Sequence, residues 1–487
     1  MADITEIETG EVLLNHEEET EEHERKGTVW TATAHIFTAV FGSGVLALAW
    51  SVAQLGWIAG PLALIAFSCV TYYTSAMLAD TYRAPDPETG LRNPTYMEAV
   101  RAYLSPRKVN ICGVVQYMNL WGTLIGYTIT AAISMKTINY LFYQDGYEPK
   151  GDASGTFVLQ FGIAQLILSQ LPSLENITWL SVMSAVMSFV YSFIGLGLSI
   201  AKWIANGHIE GHVVGITALS PSEKTWNSLQ ALGNIAFAYT FAEVLIEIQD
   251  TLRPSPPENI TMKKASLYGI GGTTIFYLTM GCAGYAAFES NAPGNILTGF
   301  GSYGPSWLVD IANICLILHL LGAYQIYAQP IFAAVERGVA AQWPEANIIS
   351  RVYTIYVPVF RQIPISFSLS RLMIRSIVIL ASTSVAMMVP FFNAVLGLLG
   401  AISFWPMTVY FPISMHIVQK KISRGSPKWI FLQILSILCL VTSLAVTVSS
   451  VVDIATSLKL PVPLKTTNQV TLPFTESTLG LRDLAFA

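Results

Sequence analysis

The sequence FGSGVLALAW (residues 41–50) interrupts a long apolar run with two glycines that flank a serine. Glycine inside a helix costs about 1 kcal/mol relative to alanine. One interpretation is close helix packing, because small residues line helix interfaces in membranes. The other is a discontinuous helix whose unwound ends bind a ligand at the membrane midplane. Residues 42–44 lie about 15 Å into the span, half the hydrocarbon thickness, which is the depth that a binding site needs.

Composition identifies the chain as a polytopic membrane protein. Only 12% of its 487 residues are charged and the mean hydropathy is +0.51, whereas soluble proteins have about 25% charged residues. Apolar runs long enough to span a bilayer recur along the chain. We predict eleven spans: 32–56, 59–81, 111–143, 157–173, 177–203, 227–250, 266–288, 307–335, 373–391, 394–418 and 428–453.

This organisation favours a secondary transporter. Eleven spans disagree with a seven-helix receptor, and the sequence has no selectivity-filter signature of a channel. It also has no catalytic constellation, so we expect no enzyme activity. The five cysteines lie in or beside apolar segments without CxxC spacing, which predicts free thiols, no metal site and no cofactor.

The basic residues predict the orientation. Nineteen Lys and Arg residues lie on one side if the N-terminus is cytoplasmic, against six on the other. We therefore expect an acidic, disordered cytoplasmic tail (1–27), a transporter domain (28–454) and an extracellular C-terminal tail (455–487). The sequons at Asn176 and Asn259 then lie on cytoplasmic loops and carry no glycan.

Four of the ionisable residues inside predicted spans are candidates for function, because such residues usually face a cavity or a partner. Glu243 and Glu247 share one face of the sixth span because they are four residues apart. We interpret Glu243 as a contact for a substrate cation or proton, and Glu247 as a structural ion pair or cap. His319 and His35 are candidates for proton coupling, because histidine titrates near physiological pH; the alternative for each is a satisfied core histidine.

Several long segments closely resemble the plant amino acid permeases of the amino acid/auxin permease family. They include GTVWTATAHIFTAVFGSGVLALAWSVAQLGWIAGP (27–61), GYAAFESNAPGNILTGFG (284–301) and LVDIANICLILHLLGAYQIYAQPIFAAVE (308–336). The resemblance continues through ALGNIAFAY and LIEIQDTLRPSPPENITMKKA, both within 231–265, and through residues 389–422. It covers nearly all of the chain after the acidic tail.

The resemblance implies an all-α, LeuT-like fold: five plus five inverted helices and one extra C-terminal helix, with the first and sixth helices discontinuous. It also implies proton-coupled import of amino acids across a plant plasma membrane by alternating access. The partners are then amino acids, co-transported protons and the lipid bilayer, and no nucleic acid is expected.

The same resemblance implies a substrate site at the two helix breaks. Backbone N–H groups at Ser43, Gly44 and Val45 would bind the α-carboxylate, and carbonyls from Ala39 to Phe41 would accept from the α-ammonium. The remaining implied site residues are Gly42, Asn119 in QYMNLWG (116–122), Phe237, Ala238, Tyr239 and Thr240. His319 stands where sodium-coupled members of the fold bind an ion, and His35 matches the family's first helix.

Two features depart from the family pattern. The second break, in AFAYTFAEV, contains no glycine or proline, and Glu243 stands where the family pattern has an aliphatic residue. An extra carboxylate favours cationic as well as neutral substrates, unless it is protonated and neutral. The alternatives are an auxin influx carrier of the same family, an amino acid sensor, and a vacuolar exporter.

Overall fold

The computed structural model describes residues 25–142, 153–170, 178–209, 211–301, 303–343, 352–357 and 363–458. The acidic residues 1–24, the sequon at Asn176 and residues 459–487 lie outside this range. The α-helices are α1 Val29–Val40, α2 Leu48–Asp80, α3 Tyr96–Tyr103, α4 Pro106–Phe142, α5 Ala153–Ser169, α6 Thr178–Asn206, α7 Pro221–Ala238, α8 Ala242–Asp250, α9 Glu258–Phe288, α10 Ser306–Gln342, α11 Leu369–Met388, α12 Phe392–Ser403, α13 Phe411–Gln419 and α14 Pro427–Leu458.

Short elements connect these helices. A 3₁₀ helix covers Ser43–Ala47, and a π-helical segment covers Phe404–Tyr410 between α12 and α13. Two antiparallel hairpins pair β1 Arg83–Ala84 with β2 Leu91–Arg92, and β3 Val352–Val357 with β4 Ile363–Ser368. Neither the hairpins nor α3 was predicted, because each element is too short to give a span signal.

Each of the eleven predicted spans coincides with helical residues. Within the described ranges, seven helical stretches are long and apolar enough to cross a membrane, and α1 and residues Gly155–Ser169 of α5 are shorter apolar helices. The total of eleven membrane crossings therefore stays a prediction. Exposed side chains such as Ile434, Leu438 and Val441 on α14 are apolar, which suits a lipid-facing surface.

A sharp corner at Gly56 separates the first two predicted spans within α2. Its φ of +86° is unfavourable for residues with a side chain. An added Cβ would also lie 2.3 Å from the nitrogen of Gly215. Ile216 donates its N–H to the carbonyl of Ala53 (3.2 Å), so the loop after α6 is docked against this corner.

An ionic network joins helix ends at the opposite end of the molecule, where α1 begins. Glu258 at the start of α9 accepts from Arg25 (2.9 Å) and Arg83 (2.8 Å). Backbone hydrogen bonds also tie Gly27 to the segment after α8, through Thr251 and Arg253. Residues 25–27, assigned above to the acidic tail, are thus part of the folded body. Helix α14 likewise continues through Leu458, beyond the predicted domain limit at 454.

Candidate functional site

The first interruption lies at the predicted glycines. Helix α1 ends at Val40, and Gly42 adopts an extended conformation before the 3₁₀ helix begins at Ser43. The first N–H groups of a helix have no acceptor within that helix. The N–H of Val45 points back to the Gly42 carbonyl at 3.4 Å. The start of this 3₁₀ helix, at Ser43 and Gly44, is therefore suited to bind an anion.

The second interruption lies at residues 239–241, between α7 and α8, without glycine or proline. Side chains replace part of the helical hydrogen bonding there. Thr240 donates its hydroxyl to the Ala236 carbonyl (2.9 Å), and Tyr239 donates its hydroxyl to Thr274 of α9 (3.1 Å). The break is therefore held by tertiary contacts rather than by backbone freedom.

The two interruptions are in direct contact. A Cβ added to Gly44 would lie 2.9 Å from the Cα of Ala238, so only glycine allows this approach. The hydroxyl of Tyr277, on α9, lies 2.7 Å from the carbonyl oxygen of Val40 and 3.1 Å from that of Ala238. One buried tyrosine thus bridges the carbonyl ends of α1 and α7.

A small cavity of about 30 Å³ lies between the interruptions, with room for about one water molecule. Nine of the predicted substrate residues line it: Ala39, Gly42, Ser43, Gly44, Asn119, Phe237, Ala238, Thr240 and Glu243. The structure therefore brings together residues from α1, α4, α7 and α8 that are more than 200 positions apart in sequence.

A larger cavity of about 400 Å³ adjoins the small one and has a volume typical of ligand pockets. It extends from Gly42 along α1 to His35, and along α8 to Glu247 and Ile248. Five residues line both cavities: Ala39, Gly42, Tyr127, Glu243 and Tyr327. The rings of Tyr127 and Tyr327 pack edge to face with centroids 5.6 Å apart, so this pair forms part of the boundary.

Glu243 lies at that boundary and is almost completely buried. Its Oε1 accepts a hydrogen bond from the amide of Asn119 at 2.7 Å. Its Oε2 and the Oδ1 of Asn119 have no hydrogen-bond partner among the described residues. Two acceptor atoms are therefore available for a cationic or donor group at the site.

His319 of α10 lines the larger cavity and is 3% exposed. Its Nδ1 lies 2.8 Å from the backbone carbonyl of Ser184 on α6. A carbonyl only accepts, so Nδ1 carries the proton and Nε2 has the lone pair when the ring is neutral. Nε2 has no partner within the described ranges, which leaves it free to accept a proton.

The other predicted residues occupy different positions. His35 is exposed and lines the larger cavity at the end away from the breaks. Phe41, Val45 and Tyr239 line neither cavity. The Phe41 ring packs on Phe276 at 4.8 Å, within an aromatic cluster. The described contacts of these three residues support the shape of the breaks, and their contact with substrate stays a prediction.

Sequence reasoning missed three tyrosines, Tyr277, Tyr127 and Tyr327, together with the carbonyl of Ser184. Each lies within an ordinary apolar helical segment, and its role depends on which distant backbone atom or ring it meets. The only signal available is that buried tyrosine hydroxyls usually have a hydrogen-bond partner.

Comparisons with known proteins identify one family. The family model described as transmembrane amino acid transporter protein matches residues 25–456. Amino acid permease 6 of Arabidopsis thaliana is 53% identical over 462 residues, covering 93% of this chain and 95% of that protein. Amino acid permease 8 of the same plant is 50% identical over 465 residues, covering 94% and 98%. The predicted resemblance to plant amino acid permeases is thereby confirmed.

Two solved structures have a similar fold. The crystal structure of MhsT in complex with L-phenylalanine gives a TM-score of 0.55 at 12% identity and covers 86% of this chain and 98% of its own. Mhp1, a nucleobase-cation-symport-1 family transporter, gives 0.51 at 11% identity and covers 88% and 92%. These similarities confirm the predicted all-α transporter fold of the LeuT type.

Proposed function

The chain belongs to the transmembrane amino acid transporter family, and on that premise we propose that it is a proton-coupled symporter importing amino acids across the plasma membrane. Transport of amino acids across a membrane, rather than enzymatic catalysis, is the activity that the family supports. The proposal adds the coupling ion, the direction and the substrate range. Its main support is the contact between the two helix interruptions beside a cavity that holds Glu243 and His319.

The helix interruptions suit the two charged groups common to all amino acids. The α-carboxylate lies at the start of the 3₁₀ helix, where the N–H groups of Ser43 and Gly44 donate to it. The buried hydroxyl of Ser43, which has no partner in the described part of the chain, adds a donor. The α-ammonium lies towards the carbonyl ends of α1 and α7, which Tyr277 holds together.

Glu243 extends the substrate range to cationic amino acids. Its unpartnered Oε2 lies at the boundary of both cavities, so a lysine or arginine side chain in the larger cavity places its charge near this oxygen. We expect Glu243→Gln to reduce lysine-evoked current relative to alanine-evoked current. A matched control is Glu223→Gln, since Glu223 lies in the exposed first turn of α7. An unchanged lysine-to-alanine ratio in Glu243→Gln contradicts the contact.

His319 carries the coupled proton in this proposal, with the exposed His35 as the relay towards the far end of the cavity. Protonation of Nε2 places a positive charge between α10 and α1, where sodium-coupled members of the fold hold an ion. The imidazolium keeps its Nδ1 bond to Ser184, so the ring need not turn. We expect His319→Asn to lose the acid stimulation of transport, and retention of full pH dependence refutes this role.

Voltage-clamped oocytes that express the chain test the proposal directly. Alanine, glutamate and lysine are applied at about pH 5.5 and about pH 7.5, which bracket the range in which histidine ordinarily titrates. The currents are recorded with and without sodium. Inward current that increases at acidic pH and is the same with and without sodium supports proton symport, whereas sodium-dependent current refutes it. An inside-negative potential of about 100 mV would add about 2.3 kcal/mol per charge imported.

The same recordings separate the alternatives. An auxin carrier responds to indole acetic acid and not to amino acids. A sensor binds amino acids without accumulating them. Surface labelling, measured in parallel, distinguishes a plasma-membrane importer from an intracellular transporter.

A further inference from the structure

Glu247 uses its two carboxylate oxygens differently. It lies one helical turn beyond Glu243 on α8 and lines the larger cavity. Its Oε1 accepts the backbone N–H of Tyr96, the first residue of α3, at 3.3 Å. Its Oε2 is buried and has no partner among the described residues. The same carboxylate therefore holds a neighbouring helix and keeps one buried oxygen without a described partner, on a residue that lines the cavity.

Tyr96 is itself fixed at a second point. The residue is fully buried, and its hydroxyl donates to the carbonyl oxygen of Met407 at 2.6 Å. Met407 lies in the π-helical segment Phe404–Tyr410, and π-helical turns inside α-helices are frequent at functional sites. Tyr96 thus connects α8, which lines the cavity, to the irregular turn between α12 and α13.

Helix α3 also covers part of α4. It packs against α4, α8 and α13. The Cε of Met97 lies 3.2 Å from where a Cβ on Gly113 would be, so the two helices are in close contact there. Cys112, the neighbour of Gly113, is completely buried. Cys112 also lies close enough to Tyr96, the first residue of α3, to interact with it electrostatically. We therefore use this thiol as a native reporter of the position of α3.

We propose that Glu247 and Tyr96 form a latch that joins cavity occupancy to α3. The proposal rests on the proposed function, because it requires a positive charge to pass through the larger cavity. That charge, either the substrate ammonium or the coupled proton, competes with the Tyr96 N–H for the Glu247 carboxylate. When the cation displaces the Tyr96 N–H from Glu247, the N-terminal end of α3 is released from α8, and the end of the cavity near Glu247 opens.

The surrounding charges favour this competition. Glu247 lies close enough to three other carboxylates to interact with them electrostatically. They are Glu243 and Asp250 on α8 and Glu98 on α3. Tyr82 at the end of α2 donates to Asp250 at 2.6 Å. In the described part of the chain, Glu247 thus interacts with three carboxylates, which attract a cation, and with the phenol of Tyr96. The opposing bond is a single hydrogen bond to a helix N-terminus, so a modest change in charge shifts the balance.

Thiol labelling of Cys112 tests the latch. The other four cysteines, Cys69, Cys282, Cys315 and Cys439, are replaced by alanine, and Cys112→Ala in the same background gives the blank. A membrane-permeant maleimide is applied to cells at neutral and acidic pH, with and without alanine as substrate. Each rate is divided by that of the denatured protein at the same pH, because acid lowers the fraction of reactive thiolate. We expect substrate or acid to increase this relative labelling rate. Acceleration by acid alone identifies the proton as the competing charge, and acceleration that requires alanine identifies the ammonium.

Two variants separate the parts of the latch. Tyr96→Phe loses the bond to Met407, and we expect labelling without substrate to rise about fivefold, the effect of one ordinary hydrogen bond. Glu247→Gln keeps an acceptor for the Tyr96 N–H but has no charge, so the response to substrate and acid should disappear. Tyr324→Phe, which removes a buried hydroxyl bonded to Ser382 elsewhere, is the control and should behave like the parent chain.

The outcomes distinguish the latch from the transport proposal. Uptake of labelled alanine is measured in the same cells. The latch is refuted, and the transport proposal stands, if uptake continues while substrate and pH leave the Cys112 labelling rate unchanged. The same conclusion follows if labelling in Glu247→Gln responds to substrate and acid as in the parent chain. If every amino acid fails to be taken up by surface-localised protein, the proposed function fails and the latch fails with it.

Discussion

Replacement of Gly44 by alanine should damage transport far more than replacement of Gly271, a glycine of α9. The new Cβ at position 44 would lie 2.9 Å from the Cα of Ala238 and 3.3 Å from its nitrogen. Carbon atoms pack at about 3.5–4.0 Å, so the two interruptions must separate by at least about 0.6 Å. Overpacking of this kind costs about 1–3 kcal/mol, or about fivefold to 150-fold in the population of the binding-competent arrangement.

Gly271 on α9 provides the matched control, since it lines neither cavity. A Cβ added there meets no atom within 4 Å outside its own helix, and alanine favours a helical backbone. We therefore expect Gly271→Ala to change the half-maximal substrate concentration by less than about threefold, since overpacking costs apply only to tight contacts.

Concentration-dependent currents in oocytes, normalised to surface protein, measure both effects. Gly44→Ala should raise the half-maximal alanine concentration or reduce the maximal current by at least about fivefold. Equal behaviour of the two variants would refute the argument. So would full rescue of Gly44→Ala by Ala238→Gly, because the nearest obstructing atom is the backbone Cα of residue 238, which glycine retains.

Three further predictions follow from individual contacts. Tyr277→Phe removes the hydroxyl shared by two carbonyls and should raise the half-maximal alanine concentration about fivefold, one net hydrogen bond of about 1 kcal/mol; an unchanged value refutes the bridge. Glu258→Gln removes the charge of a buried carboxylate that bonds to Arg25 and Arg83, and should destabilise the detergent-solubilised protein by about 3 kcal/mol. Thermal unfolding measures this loss. The control Arg371→Gln, at a side chain that is 62% exposed, should leave thermal unfolding unchanged. The amide of the sequon residue Asn259 is buried and donates to Asp80 at 2.8 Å, so we expect no glycan there. Glycosidase treatment and Asn259→Gln should therefore leave gel mobility unaltered, and a glycosidase-dependent shift contradicts this.

Local sequence left the first interruption open between close packing and a break, and the family resemblance favoured the break. Gly42 and Gly44 are unusual in an apolar run, and their depth could be counted from the start of the span. At residues 239–241 the Thr240 hydroxyl bonds locally to Ala236, but the Tyr239 hydroxyl bonds to Thr274 of α9. Thr274 is 35 positions from Tyr239 and gives no local signal.

The same limit explains the residues that were missed around the cavity. Glu247 was interpreted as a structural cap or ion pair, and its bond to the N-terminus of α3 has that character. Its partner, the N–H of Tyr96, could not be predicted, because α3 itself was not recognised. His319 was identified from its type and depth, but Ser184, which fixes its tautomer, is 135 positions away and contributes only a backbone carbonyl.

The energetics of buried polar groups argue that the cavity walls are built for a charged ligand. An unpaired polar group away from water costs about 1–3 kcal/mol, and more when it is charged. Tyr324 and Ser382 show the structural solution, since their buried hydroxyls bond to each other. Glu243 and His319 each instead satisfy one side-chain atom with protein and leave the second without a described partner beside a cavity. In the proposed function, the substrate ammonium and the coupled proton supply the missing partners, and their binding removes the free-energy cost of the unpaired atoms.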